Sequence, residues 1–259
     1  MLMRGKVAIV SGVGPGLGRA SALALAREGA DVVLGARTRG VLEEVAREVE
    51  ALGHQALVVP TDVTDPEQAK NIADTAFQHF GRIDVLVNNA AWSGPYETML
   101  EMDIPTWRKI IDTNLVATMY MCRSAAPHML KARRGSIVNV TTWSMRQGRE
   151  RRSAYAAAKA GITLMTQSLA EEWGPSGVRV NCVALGQIWS DKLKAYYETR
   201  AKMAGKTYDE TYAMFTGQMA LRRVPTAEEI ANGVLFMASD WASGITGQSL
   251  DVNCGHFFH

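Results

Sequence analysis

A tyrosine and a lysine stand four residues apart, at Tyr155 and Lys159, in a stretch with a helical pattern. Side chains at this separation project from one face of a helix, about 6 Å apart along its axis. A phenol with a reference pKa of about 10 is a poor proton donor and acceptor at neutral pH, but a neighbouring ammonium favours the phenolate. The pair can therefore perform acid–base chemistry, although the same spacing is common on solvated helices.

A glycine-rich turn occupies residues 11–18, which read SGVGPGLG and follow the short apolar run 7–10. Glycines allow a tight turn and a close backbone approach to a pyrophosphate, and the N-terminus of the next helix faces the anion. Such turns also occur in ordinary loops. The position of this one, between a predicted strand and a predicted helix, favours a dinucleotide-binding loop.

The end of the second predicted strand bears on which dinucleotide would bind. A free ribose 2′-hydroxyl calls for an acidic residue near Ala36 and none is present, whereas Arg37 suits a 2′-phosphate. This favours NADP(H), with NAD(H) as the second possibility. In the alternative interpretation Arg37 is a solvated loop charge, and Pro15 adds no second basic group to the glycine turn.

The elements that must position these residues alternate between short β-branched runs and helical patterns. This alternation predicts an α/β, doubly wound Rossmann fold with about seven parallel strands and helices on both faces. The predicted strands cover residues 7–10, 31–34, 56–59, 83–87, 135–140, 178–183 and 249–252. The predicted helices cover residues 16–28, 41–52, a stretch from 65, 105–130, 153–173 and 226–238. Because ligands bind beyond the carboxyl ends of such strands, several loops should form one crevice there.

Composition excludes several classes of protein. The 259 residues are 47% hydrophobic and 21% charged, which predicts a single globular domain, 1–259, that needs no metal or disulfide. A net charge of +2 argues against a nucleic-acid partner. Cys122, Cys182 and Cys254 lack metal-ligand spacing and fit a reducing compartment. No run has the length of a signal-peptide core or a membrane span, so we expect a cytoplasmic protein without membrane contact.

Four features occur together in a recognisable order: the glycine turn, the run 88–91 after the fourth strand (NNAA), Asn114, and the pair Tyr155 and Lys159. In this order and spacing the chain resembles the short-chain dehydrogenase/reductase family over essentially its whole length. The resemblance implies an Asn-Ser-Tyr-Lys catalytic tetrad, carried here by Asn114, Thr142, Tyr155 and Lys159. Threonine replaces the usual serine at position 142, and Ser144 is a rival for the same role.

The resemblance also implies which residues contact a dinucleotide. Besides Tyr155 and Lys159 these are Gly12, Gly14, Gly16, Leu17, Gly18, Arg37, Thr38, Asp62, Val63, Asn89, Ala90, Gly186, Ile188 and Ser190. Two positions depart mildly from the family pattern, because Ala91 stands where glycine is usual and Leu185 stands where proline is usual.

The implied activity is hydride exchange between a nicotinamide and a carbonyl or secondary alcohol. In that scheme Tyr155 moves the proton, Lys159 holds the tyrosine and the ribose, Thr142 polarises the carbonyl, and Asn114 supports a water chain from Lys159 to solvent. Family members are usually tetramers, so we expect a homotetramer or a homodimer with a small-molecule substrate.

The segment 187–224 corresponds to the family's substrate lid. It contains many aromatic residues and methionines, and its spacing predicts two short helices separated by Gly205. These residues predict a pocket for a bulky hydrophobic or aromatic ketone or alcohol; alternatively they pack the lid on the body or a subunit contact. The candidate substrate residues are Trp92, Trp143, Ser144, Arg146, Trp189, Leu193 and Tyr197.

Two further segments are open to more than one interpretation. Four arginines at 146, 149, 151 and 152 either meet an anionic substrate or a carrier's phosphopantetheine, or form a solvated rim; Arg146 is the first candidate because it is nearest Thr142. The aromatic C-terminus, GHFFH, is expected to dock against a neighbouring subunit. A 3-oxoacyl thioester reductase shares every catalytic residue, and a non-catalytic dinucleotide sensor is the alternative from another class.

Overall fold

Seven parallel strands form one sheet in the computed structural model, which describes residues 1–258. The strands are β1 (Val7–Ser11), β2 (Asp31–Ala36), β3 (Ala56–Pro60), β4 (Val85–Asn88), β5 (Gly135–Thr142), β6 (Val178–Leu185) and β7 (Ser249–Val252). Their order is β3-β2-β1-β4-β5-β6-β7, so the direction of winding reverses between β1 and β4. Such a reversal opens a crevice beyond the carboxyl ends of the central strands. The predicted Rossmann sheet is confirmed.

Helices cover both faces of this sheet. They are α1 (Leu17–Arg27), α2 (Arg39–Ala51), α3 (Pro66–Phe80), α4 (Ile104–Ile111), α5 (Ala117–Ala132), α6 (Ser153–Trp173), α7 (Asp191–Ala204), α8 (Tyr208–Thr216) and α9 (Ala227–Ala238). One core contains α1, α2 and α9 with Val10, and the other contains α3, α5 and α6 with Ile9. The division follows from the alternation of side chains along each strand. Among the described residues, no helix has both the length and the apolar character needed to cross a membrane.

The helix starts follow local signals in the sequence. The Thr226 hydroxyl accepts the Glu229 N–H at 3.2 Å, and the Glu229 carboxylate accepts the Thr226 N–H at 2.9 Å, so α9 begins with the predicted capping box. Asp65 accepts the Gln68 N–H at 3.3 Å, and Pro66 opens α3. These caps satisfy backbone donors that have no partner inside the helix.

The structure differs from the sequence prediction along the helix expected over 105–130. A π-helical turn, Asp112–Val116, separates α4 from α5. The side-chain amide of Asn114 donates to the Ile110 carbonyl at 2.8 Å, and a regular turn would offer that carbonyl to the backbone N–H of residue 114. The wider turn therefore accompanies the side-chain hydrogen bond of Asn114.

The strands on the catalytic side also differ from the prediction. β5 and β6 run two residues further than expected and stay paired at their ends, where Thr142 lies opposite Leu185. β4 begins at Val85 rather than Ile83. The longer strands carry Thr142 to the carboxyl edge of the sheet, where the crevice lies.

Candidate active site

The loops that carry the predicted site follow strands that end side by side. Ser11, at the end of β1, pairs with Asn88 at the end of β4. The next residue, Asn89, donates its side-chain amide to the Gly12 carbonyl at 2.8 Å. The loops after β1 and β4 are thus directly joined, and those after β5 and β6 lie further along the same edge, as predicted.

Lys159 is held in place by a backbone carbonyl. Its Nζ donates to the Val140 carbonyl on β5 at 2.9 Å, and the residue is only 3% exposed. Nζ lies 5.8 Å from the ring centroid of Tyr155, one turn earlier on α6. The structure therefore brings the predicted pair together on one helix face, with the lysine anchored beneath the tyrosine.

Burial is the largest influence on the pKa of both groups. It raises the pKa of Tyr155 to about 12, against a smaller lowering influence of the positive charge on Arg152. Burial lowers the pKa of Lys159 to about 8. The sequence predicts that the lysine's charge favours the phenolate, whereas in the structure desolvation is the largest influence, because a phenolate loses its hydration there. The neutral phenol, which is the proton-donating form, is favoured.

Asn114 lies fully buried in the π-helical turn, with its amide orientation fixed. Its Nδ2 donates to two carbonyls, that of Trp92 at 2.7 Å and that of Ile110 at 2.8 Å. Only an NH₂ group can satisfy two acceptors, so Oδ1 faces the other way, and this oxygen has no hydrogen-bond partner among residues 1–258. Asn114 thus fixes the loop after β4 and presents a buried acceptor.

Both candidates for the catalytic hydroxyl lie at the end of β5. Thr142 is its last residue and Ser144 follows within a 3₁₀ turn, Trp143–Met145; both are buried. Thr142 has an extended backbone and pairs with β6, which places it on the more rigid element. The two hydroxyls remain alternatives for the same role.

The glycine turn has the shape that a pyrophosphate requires. Gly12 has φ +74°, and a Cβ there would lie 2.4 Å from the backbone of Ala90; a Cβ on Gly18 would lie 2.4 Å from the Gly12 carbonyl. At Gly14 and Gly16 a Cβ would meet no atom within 4 Å. Within residues 1–258, no side chain caps the N-terminus of α1. The turn packs tightly on its inner side and is open on its outer side, so these residues fit a dinucleotide.

The residues expected near the adenosine end lie after β2 and β3. Arg37 and Thr38 are exposed, and Val63 is buried. Hydrogen bonds from the hydroxyl and the backbone N–H of Thr64 lower the pKa of Asp62, and the positive charge of Arg37 contributes to the same direction. Asp62 is therefore an oriented, ionised acceptor on the same side of the sheet as Arg37.

The loop after β6 holds three predicted dinucleotide contacts. A Cβ on Gly186 would lie 3.2 Å from Asn253 and 3.8 Å from Nδ1 of His256, so the C-terminal segment packs closely on this loop. Ile188 packs against the core that contains α1 and α9. Ser190 caps α7 by accepting the Leu193 N–H at 3.2 Å. Each of the three therefore has a structural contact of its own.

The lid is packed largely against itself. Tyr197, one of the candidate substrate residues, has 0% exposure, and its hydroxyl donates to Gln187 at 2.6 Å. Its ring lies 5.0 Å from that of Phe215, centroid to centroid. Trp189 and Leu193 pack at the edge of the same cluster. Most of the lid aromatics thus form the lid's own core, and Tyr197 exposes no surface to a substrate in this structure.

Trp143 has an aromatic neighbour that the sequence did not indicate. Phe257 of the same chain stacks on its indole at 4.3 Å between ring centroids, and the Arg149 guanidinium lies 4.1 Å from the same ring. The tail expected at a subunit contact therefore packs on the loop beside Thr142. The final residue of the tail, His259, lies outside the described residues.

Arg146 is held by a carboxylate in this structure. It forms an ion pair with Asp251 on β7. From the sequence, Arg146 is the first candidate to bind an anionic substrate, because it is nearest Thr142 along the chain. The pairing was not visible in the sequence because residues 146 and 251 are far apart in it.

Two contributors to the site are backbone carbonyls, those of Val140 and Trp92. Sequence reasoning missed them because a carbonyl acceptor leaves no mark on residue type. Burial of Lys159 and Asn114, which requires each side chain to find an acceptor, is seen only in the structure. In chemical terms the site combines a neutral phenol, a buried ammonium, two hydroxyls and an amide, which suits proton exchange with an oxygen atom.

Comparisons with known sequences identify related proteins. A family model described as enoyl-(acyl carrier protein) reductase matches residues 12–256. The cis-4-hydroxycyclohexanecarboxylate dehydrogenase of Sinomonas cyclohexanicum is 37% identical, over 97% of this chain and 96% of the relative. The 3-oxoacyl-(acyl-carrier-protein) reductase FabG of Thermotoga maritima is 34% identical, over 98% of this chain and 99% of the relative.

Solved structures share the fold of this chain. A putative short-chain alcohol dehydrogenase from Sinorhizobium meliloti 1021 superposes with a TM-score of 0.89 at 29% identity, over 98% of this chain and 96% of that one. An NAD⁺-bound xylitol dehydrogenase superposes with a TM-score of 0.88 at 26% identity, over 97% of this chain and 99% of that one. The fold, the Tyr155–Lys159 site and both kinds of comparison lead to the same conclusion: the chain belongs to the short-chain dehydrogenase/reductase family of oxidoreductases.

Proposed function

We propose that the protein is an NADP(H)-preferring carbonyl reductase or alcohol dehydrogenase for a bulky, largely hydrophobic substrate. The observation that carries this proposal is the Lys159 ammonium, buried one turn from Tyr155 and bonded to the Val140 carbonyl. Among residues 1–258 no carboxylate lies within 4.0 Å of it. A buried, unpaired ammonium destabilises a fold, and a non-catalytic dinucleotide sensor has no need of one.

The mechanism assigns one task to each side chain. A nicotinamide dinucleotide, when bound, supplies or accepts the hydride. During reduction the Tyr155 hydroxyl donates its proton to the substrate oxygen, and during oxidation it takes that proton back. The Lys159 charge stabilises the phenolate that donation leaves. A hydroxyl of Thr142 or Ser144 donates to the carbonyl oxygen, and Oδ1 of Asn114 accepts from the groups that return the proton.

The preference for NADP(H) rests on Arg37. Its guanidinium is exposed, β2 ends without an acidic residue, and within the described chain no carboxylate lies within 4.0 Å of this arginine. A free guanidinium at this position suits a 2′-phosphate through paired, charge-assisted hydrogen bonds. The glycine turn, Asn89 and Asp62 would hold the rest of the dinucleotide.

The substrate proposal rests on two indoles from the candidate substrate residues, Trp92 and Trp143. Trp92 packs in the same cluster as Tyr155, and Trp143 follows Thr142; both are half-buried. The name of the Sinomonas relative describes a dehydrogenase of a cyclic hydroxy acid. For these reasons we choose 4-oxocyclohexanecarboxylate as the first test ketone.

A second candidate is the reduction of 3-oxoacyl thioesters. FabG proteins of Thermotoga maritima and Staphylococcus aureus are 34% and 35% identical to this chain. Turnover of acetoacetyl-CoA, compared with that of the cyclic ketone, distinguishes a thioester reductase from a ketone reductase. Turnover of acetoacetyl-CoA well above that of the cyclic ketone would favour the thioester reductase.

The decisive variant is Tyr155→Phe, which removes the proton donor and keeps the ring. We expect kcat to fall roughly 100- to 10,000-fold, because general acid catalysis contributes that much. Dinucleotide affinity, followed by quenching of tryptophan emission, should stay nearly unchanged. Turnover retained in this variant would refute the assignment of Tyr155.

The dinucleotide preference is tested by parallel titrations with NADPH and NADH. We expect tighter binding of NADPH in the wild type, and a loss of that difference in Arg37→Ala, because this variant removes the guanidinium proposed to bind the 2′-phosphate. Equal affinities in the wild type would contradict the preference and leave the oxidoreductase proposal intact.

A further inference from the structure

Three of the four arginines in the loop before α6 have neighbours that occupy their guanidinium groups. Arg146 forms an ion pair with Asp251. Arg151 lies 4.0 Å from the Glu101 carboxylate. Arg149 is stacked on an indole, as described above. None of these three is free to receive a substrate anion without giving up a contact of its own.

Arg152 has a different environment. Its guanidinium carbon lies 3.4 Å from the ring centroid of Tyr96, and its Nη1 donates to the Ser93 carbonyl at 2.8 Å. Within residues 1–258 no carboxylate lies within 4.0 Å of this guanidinium. The aromatic ring and the carbonyl hold the group in one orientation, while most of its five N–H donors remain available. It is a preorganised cation without a counter-ion.

Arg152 lies close to Tyr155, the proposed proton donor. Its guanidinium carbon lies 5.7 Å from the ring centroid of Tyr155. Ser93 and Tyr96 belong to the loop after β4, at the edge of the sheet where the crevice lies. A small molecule that reacts at the tyrosine hydroxyl can therefore place a second group at the guanidinium if a short chain or a single ring joins the two.

We propose that Arg152 binds the carboxylate of the substrate, so that the bulky, largely hydrophobic substrate is an oxo or hydroxy acid. The planar guanidinium matches a carboxylate through two parallel hydrogen bonds, which would also fix the carbonyl relative to Tyr155. A pantetheine phosphate is a poorer match, because its long arm keeps that phosphate far from the reacting carbonyl. The proposal rests on the proposed oxidoreductase function and specifies its substrate class.

The test compares 4-oxocyclohexanecarboxylate with the uncharged 4-oxocyclohexanecarboxamide. In the wild type we expect kcat/KM to be roughly 10- to 100-fold higher for the carboxylate, the range of a charged hydrogen bond. Arg152→Gln should remove this preference and leave turnover of the carboxamide within a few-fold of wild type. Arg152→Lys should keep part of it. The matched control is Arg151→Gln, which removes the neighbouring arginine and should keep the full preference.

Two results would overturn the proposal. If Arg152→Gln lowers kcat/KM equally for both probes, the arginine acts through Tyr155 and not on the substrate. If the wild type shows no preference for the carboxylate, there is no anion site. Equal thermal unfolding of Arg152→Gln and wild type verifies that the variant is folded.

A binding measurement keeps the proposal testable apart from catalysis. The ketone cannot react with an oxidised dinucleotide, so calorimetry with and without NADP⁺ reports binding alone. We expect the wild type to bind the carboxylate at least tenfold more tightly than Arg152→Gln does. Binding with this difference but no turnover of either probe would refute the proposed reaction and support the anion site. Equal binding by both proteins would refute the anion site.

Discussion

The cofactor side and the substrate side of the crevice are built from different kinds of contact. On the cofactor side backbone packs on backbone, since a Cβ on Gly12 would lie 2.4 Å from the backbone of Ala90. On the substrate side, side chains from distant segments pack on one another, as Trp143 does on Phe257 and Arg152 does on Tyr96.

This difference determines how each side responds to substitution. Backbone packing of this kind has no room for a side chain, so a change there disturbs the fold and dinucleotide binding together. Side-chain packing can change locally because the backbone beneath it stays in place. We therefore expect variants at the tightly packed glycines of the cofactor side to lose stability, and variants on the substrate side to change substrate affinity.

The largest effect is expected for Gly12→Ala. The residue has φ +74°, which disfavours alanine, and the new methyl group would collide with the loop after β4. We expect the free energy of unfolding to fall by about 3 kcal/mol and dinucleotide binding to be lost with it. Urea unfolding and tryptophan quenching measure the two quantities.

Gly14→Ala is the matched control for this variant. A Cβ at Gly14 would meet no atom within 4 Å, so stability should stay nearly unchanged. Dinucleotide affinity should still fall if the open side of the turn receives the pyrophosphate. Equal losses of stability in Gly12→Ala and Gly14→Ala would contradict the conclusion that the inner side of the turn is tightly packed and the outer side is open.

An intermediate effect on the free energy of unfolding is expected at Lys159. This residue lies between the cofactor side and the substrate side, and its side chain donates to the Val140 carbonyl. Its pKa is 10.5 in the unfolded chain and about 8 in the fold. Between these values the unfolded chain binds a proton that the folded chain does not, so the wild type gains stability as the pH rises through this window. Lys159→Met lacks this dependence.

We expect the free energy of unfolding of Lys159→Met to exceed that of the wild type at neutral pH. This difference should decrease at alkaline pH. Between neutral pH and pH values near 9.5 the difference in the free energy of unfolding should shrink by about 2 kcal/mol. Urea unfolding at both pH values measures it. A difference that stays constant would mean that Lys159 is not desolvated in the fold.

The smallest effect is expected on the substrate side, for Phe257→Ala. Loss of the ring that stacks on Trp143 should remove about 1 kcal/mol of packing, and should raise KM for the ketone a few-fold while kcat and dinucleotide affinity stay unchanged. The control is Phe258→Ala, because Phe258 is 80% exposed. Steady-state kinetics would contradict this prediction if both variants changed KM equally.

Much of the fold and part of the site could be predicted from local sequence. The seven strands, the capping box at Thr226 and the two lid helices follow from short-range hydrophobic patterns and from the residues that begin and end each element. The pair Tyr155 and Lys159 could be placed on one helix face from their spacing alone. The π-helical turn at Asn114 could not, because it results from a side chain taking a backbone acceptor.

By itself, the sequence determined the order of elements, the tight turn at the glycines and the alignment of the catalytic pair, because each depends on residues close together in the chain. Only the tertiary structure decided that Arg146 pairs with Asp251, that Arg152 has no carboxylate within 4.0 Å among residues 1–258, and that the aromatic tail packs on Trp143. It also decided that burial raises the pKa of Tyr155. These outcomes depend on which distant segments meet and on how much water they exclude, and neither is encoded in local spacing.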